Sequence, residues 1–147
     1  LESRICDVQP RLEHALTLAA ITQALTRMLW RLSTGNQRWR IYDTFLIGEN
    51  RWRAQRYGIC EGLIDFGQQS VVGFDVLMEE LINLTEEDAA FFDSTTEVQS
   101  VRDILHSGTS ATRQRQAYAD AIEAGFDNDH ALQAVVRHLI EEYHADL

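Results

Sequence analysis

The sequence predicts a mainly α fold with a short β portion (α+β), and three observations carry that prediction. Apolar residues recur at steps of three and four over residues 11–32 and again beyond Phe74. Strand-like patterns are confined to residues 1–8 and 63–72. The content of 45% hydrophobic and 9% aromatic residues is that of a folded chain, long enough at 147 residues to bury one domain's core.

Residues 1–8 alternate weakly and stop before Pro10, which predicts a strand leading into a helix. In a strand, Glu2, Arg4 and Cys6 share one face. An acid beside an arginine suits a site that holds a cation and a phosphate together; it also suits a salt-bridged edge strand. The helix expected over 11–32 carries Leu12, Leu16, Ala19, Leu25, Met28, Leu29 and Leu32, with Arg11, His14, Arg27 and Arg31 among the polar remainder. His14 reads as a surface or helix-end histidine. Ser33-Thr34-Gly35-Asn36 breaks this helix, and a loop with Arg38, Trp39 and Arg40 leads to a second helix over 42–57, closed by Gly58.

That second helix contains the densest chemistry in the chain, three arginines, a carboxylate, an amide and two aromatics within residues 48–58. Glu49, Arg53 and Arg56 fall on one helical face at steps of four and three. Fixed guanidinium charge beside a carboxylate suits an anionic ligand such as a phosphate. The plain alternative is a solvated face laced by a Glu49–Arg53 pair.

Residues 58–73 read as a turn and a short hairpin, with Leu63-Ile64-Asp65-Phe66 and Ser70-Val71-Val72 around Gly67-Gln68-Gln69. Helices are then expected over 74–84, over a short acidic segment capped by Thr85 and running through Phe92, over 94–106, over 110–124 and over 127–143. The last carries His130, His138 and His144. His138 and Glu142 have the spacing of a metal pair, but two ligands make no site, and the helix reads as solvated and acidic.

All thirteen basic residues are arginine. Residues 1–58 hold nine of them against five acids, whereas residues 59–147 hold four against eighteen. The asymmetry separates a cationic, ligand-like portion from an acidic, solvating one. The formal net charge of −10 argues against nucleic-acid binding. No apolar run approaches the roughly 18–20 residues that span a bilayer. The opening residues lack the pattern of a signal peptide and an initiator Met, so the chain is expected to be part of a longer, cytoplasmic protein. Cys6 and Cys60 form neither a metal spacing nor a disulfide framework and are expected as buried, reduced thiols. A glycine-rich phosphate loop, a serine nucleophile elbow and clustered Cys/His ligands are all missing from the sequence.

Residues 1–13, LESRICDVQPRLE, followed by an Ala/Leu-rich helix and then by residues 49–58, ENRWRAQRYG, resemble the C-terminal part of the type 2 glutamate–cysteine ligases. These are bacterial carboxylate–amine ligases related in fold to glutamine synthetase. The resemblance is close over residues 1–66 and rests mostly on helix pattern over 67–147. It divides the chain into a portion of strand and helices carrying the site motifs (1–66) and an acidic helical portion (67–147), within 1–147 as one domain or fragment. After Gly58, the residues Ile59-Cys60-Glu61-Gly62 depart from the Leu-Asp pair more usual in that family.

The resemblance implies an ATP-dependent ligase using Mg²⁺, in which a glutamate-like carboxylate and an amine are joined through an acyl phosphate. By motif position, it implies Glu2 as a metal-binding carboxylate and Arg4, Arg53 and Arg56 as catalytic phosphate or substrate contacts. Arg53, Arg56 and a supporting Asn50 would contact the nucleotide. The family's enzymes are well over twice this length, so the missing N-terminal portion would be an obligate partner and this chain alone inactive. An uncovered sheet edge would favour homo-oligomers. The competing expectation is a non-catalytic helical interaction module, in which the arginines scatter or pair singly with acids.

Overall fold

The computed structural model describes residues 6–145. It is mainly α-helical with one two-stranded β element, as the sequence predicts. The order is α1 (Leu12–Thr34), α2 (Thr44–Tyr57), β1 (Leu63–Asp65), β2 (Ser70–Val72), α3 (Phe74–Phe91), α4 (Thr95–Gln99), α5 (Val101–Ser107), α6 (Ser110–Glu123) and α7 (Asn128–His144). Of the strand expected over 1–8, residues 1–5 lie outside the described residues, and Cys6, Asp7 and Val8 form no strand.

The core lies where α1 crosses α3, α4 and α5, and its members are small: Ala20, Ala24 and Ala89 with Ile82, Val98 and Val101. Small side chains let helix axes approach closely. Two buried threonines add no unpaired hydroxyl, because Thr17 donates to Glu13 O at 2.9 Å and Thr85 to Leu81 O at 2.8 Å.

The expected cap at Thr85 is overturned by this packing. Met78, Ile82, Thr85 and Ala89 recur in phase, and Gly and Pro are absent between Phe74 and Phe91, so α3 runs straight through the site of the predicted break. The helix expected over 94–106 is divided at Ser100 instead. A tightened Asp103 N–H to Ser100 O bond at 3.0 Å marks the junction, and Val98 and Val101 on either side of it both reach the core.

β1 and β2 pair antiparallel in the register Leu63↔Val72, Ile64↔Val71, Asp65↔Ser70. The Asp65 carboxylate builds the turn, accepting from the N–H groups of Gly67 and Gln68 at 2.7 and 2.8 Å. Gly62, at φ +68, stands where any Cβ would collide with the Val72 carbonyl. α6 and α7 form a helical hairpin, with Asp127 capping α7 through the His130 N–H at 2.9 Å. Among the described residues, no helix is long and apolar enough to cross a membrane.

Candidate functional site

α2 begins where the Asp43 carboxylate accepts from the Phe45 N–H at 2.7 Å and ends at Gly58, φ +60. One of its faces meets the hairpin. Asn50 Nδ2 donates to Ile64 O at 2.9 Å, and Asn50 Oδ1 accepts from Ile64 N at 2.7 Å. A single side-chain amide thus satisfies both backbone groups of a β1 residue, as a neighbouring strand would. One turn on, Arg53 Nε donates to Gly62 O at 3.4 Å and its Nη2 to Glu61 O at 3.3 Å, with the Glu61 carboxylate 3.9 Å away. The Tyr42 ring packs on Phe66 at 4.8 Å between centroids, and Arg40 reaches Glu80 of α3 at 3.5 Å.

The structure therefore brings Asn50 and Arg53 together on residues 61–64 and leaves Arg56 exposed, without a hydrogen bond or ion pair among the described residues. Arg51 is likewise exposed. Arg53 takes Glu61 as its carboxylate neighbour, and no Glu49–Arg53 ion pair forms among the described residues. Glu2 and Arg4 lie outside them. Among the described residues no group of three or more His, Cys, Asp or Glu could hold a metal ion, so they do not by themselves fit the Mg²⁺ that the resemblance implies.

Two polar centres went unforeseen. Asp88, with a fully buried side chain, receives Arg27 Nη1 and Arg31 Nη2, the latter at 2.9 Å, while Glu87 stands 3.2 Å from Arg31. Burial pushes the Asp88 carboxyl up, but the hydrogen bonds and charges of Arg31 and Arg27 outweigh it and hold it below its ordinary value. The readable signal was an acid falling in phase with the apolar stripe of α3.

The second centre joins the start of α1 to the α6–α7 pair. Glu142, 3% exposed, accepts from Arg113 Nε and from Arg11 Nε at 3.2 Å, with His138 Nε2 at 3.7 Å. Burial raises the Glu142 carboxyl, and Arg113, His138 and Arg11 together lower it further than burial raises it. His14 is buried here too, its pKa lowered by burial and by Arg113 and Arg11. His14 lies at the helix end, as expected, but is buried rather than at the surface, and α7 is not solvated throughout, because α6 and α7 pack against the beginning of α1. Cys6 and Cys60 are exposed rather than buried, Cys60 sitting in the turn after α2.

The Glutamate-cysteine ligase family 2 (GCS2) model matches residues 1–140. A Ruegeria pomeroyi protein named "Putative glutamate--cysteine ligase 2" is 59% identical over 147 residues, which are all of this chain and 38% of that protein. Proteins of the same name from Jannaschia sp. and Paracoccus denitrificans are 55% and 50% identical over the whole chain, which covers 39% of each. The chain spans about two fifths of the length of the curated relatives it matches. No solved structure matches it.

Proposed function

The chain belongs to glutamate–cysteine ligase family 2, and from that premise we propose that it is the C-terminal part of an ATP-dependent carboxylate–amine ligase. The observation that supports this best is the family match over residues 1–140, with relatives at 59% identity across the entire chain. In the proposed reaction a glutamate-like carboxylate oxygen attacks the terminal phosphorus of ATP, releasing ADP and leaving an acyl phosphate. An amine then attacks the acyl carbon, and phosphate departs as the amide forms. Neither substrate is specified further by this chain, because the pocket that would discriminate among carboxylates and amines is shared with the rest of the parent.

The geometry supports a division of roles among the proposed site residues. Arg56, exposed and unpaired among the described residues, presents fixed positive charge to the anionic groups. Asn50 and Arg53 hold residues 61–64 against α2, and so set where that charge is displayed. Arg4 is the proposed second phosphate or carboxylate contact. Glu2 is the proposed metal-binding carboxylate, in a Mg²⁺ site completed outside the described residues.

The test is ADP release with glutamate, a panel of amines and Mg²⁺, on this chain and on the full-length polypeptide. Activity in the full-length protein alone, lost in Arg56→Ala and reduced in Asn50→Ala, is the expected result. A folded full-length protein that releases no ADP with any amine would defeat the ligase reading. It would favour the non-catalytic helical module, for which the engagement of Arg53 with Glu61 and two backbone carbonyls already speaks.

A further inference from the structure

Along α1 and the end of α3 runs an open groove of about 1310 Å³, lined chiefly by Leu16, Ala19, Trp30, Phe91 and Phe92, with Glu97 of α4 at one side and Cys6 at its edge. Trp30 is 63% and Phe91 64% exposed. A contiguous apolar face of this kind marks a surface that binds something. Its shape is prepared rather than collapsed: the Arg27 guanidinium, anchored on buried Asp88, lies 3.9 Å from the Phe91 ring centroid and fixes that ring at the groove wall. One polar atom is out of place. Glu97 Oε2 is inaccessible to solvent and has no hydrogen-bond partner among the described residues, a state that is unfavourable unless a donor is supplied.

We infer that this groove is the seat of the remaining part of the ligase polypeptide, which lays an apolar segment along α1 and offers Glu97 an N–H or cationic donor. The inference rests on the reading of the chain as one part of a longer family member. The length outside supports that occupant: roughly three fifths of each curated relative is not in this chain. A second copy fits less well. A twofold contact sets like against like, and Arg27, the one cation among the described lining residues, is already held by Asp88, so a second copy brings Glu97 no free cation from this face.

Cys6 serves as the reporter, being exposed here and placed at the groove. In the full-length protein, alkylation of Cys6 by N-ethylmaleimide is followed by peptide mass spectrometry, natively and in concentrated urea. Native protection of roughly tenfold or more is expected, and Trp30→Asp should abolish it with the circular dichroism unchanged. Leu16→Asn, also at an exposed groove position, is the second variant should Trp30→Asp not fold. Equal native and denatured rates would overturn the inference. So would protection that disappears on dilution to monomers, because the occupant would then be a second copy. The readout does not depend on activity. Full-length protein that protects Cys6 yet ligates nothing would defeat the ligase reading and leave this surface standing; an active protein with freely reactive Cys6 would do the reverse.

Discussion

The crossing of α1 with α3–α5 and the unit formed by α2 with the β-hairpin are both tied together by arginine and by side-chain hydrogen bonds, yet they are held in different ways. At the crossing, the polar group Asp88 is surrounded by a small-residue core and answered by two guanidinium groups. In the α2–hairpin unit no residue of α2 is buried, Phe45 is 78% exposed, and cohesion comes from Asn50 and Arg53 reaching backbone groups of residues 61–64. A helix of 14 residues with no buried face has little stability of its own. The first region carries the fold of this chain. The second holds α2 with little buried surface, and residues 49–58, which carry part of the resemblance seen in the sequence, lie in it.

That contrast can be broken most severely at Asp88. Asp88→Ala leaves Arg27 and Arg31 facing the space the carboxylate filled, and should lower stability by about 3 kcal/mol, the lower end for removing one partner of a buried ion pair because Arg31 reaches solvent. Urea denaturation measures it, and a loss under about 1 kcal/mol would show the pair to be incidental. Ala24→Leu tests the core itself. Ala24 is fully buried, so added methylenes should cost about 1–3 kcal/mol by the same measurement.

Acid should weaken the α1 crossing and the α6–α7 junction. The folded-state pKa of His14 lies below its ordinary value, so the unfolded chain takes up its proton first as pH falls below about 6.5, and stability falls with it. Asp88 and Glu142 are also depressed. Their contributions are present above the ordinary carboxylate range and are lost as pH falls through their folded-state values. Stability should therefore decline in two stages, and His14→Gln should remove only the first. A profile for His14→Gln that matches the wild type would exclude this role.

Smaller effects are expected in the α2 unit. Asn50→Ala should cost about 1 kcal/mol globally while greatly accelerating hydrogen exchange at the Ile64 amide, whose partner it removes. If that amide is as protected as before, α2 does not hold the hairpin through Asn50. Phe45→Ser, at an exposed position, should change the stability of this chain by less than about 0.5 kcal/mol. In the full-length protein a larger loss would reveal a surface that covers α2.

Much of the fold was legible because it is local. Helical spacing marked α1, α6 and α7 to within about two residues, and Gly67-Gln68-Gln69 between two short, largely apolar runs marked the hairpin. Helix period likewise placed Arg53 and Arg56 on one turn of α2, but it gave no sign that Arg53 would bond the carbonyls of Glu61 and Gly62 while Arg56 stays exposed. Reading failed where distant residues decide. Thr85 has the chemistry of a cap, but its hydroxyl can bond Leu81 O, and its place in the core stripe carried α3 onward. His14 does lie in the first turn of α1, but its burial is decided by the distant α6 and α7 packed beside it. Cys6 and Cys60 have the chemistry of buried residues, but the packing leaves both at the surface.

The sequence by itself determined the helical character, the charge asymmetry and the family of this protein, because each is written in spacing, composition or contiguous motif. Tertiary structure alone decided which arginines are available and which are engaged. Arg27, Arg31 and Arg113 are held by buried carboxylates 29 to 61 residues away in sequence, Arg53 by carbonyls of the following turn, and Arg56 is left exposed. A guanidinium has the same charge wherever it sits. Whether that charge serves packing or a ligand depends on which acceptors the fold brings within hydrogen-bond reach, and those acceptors lie on other elements of the chain.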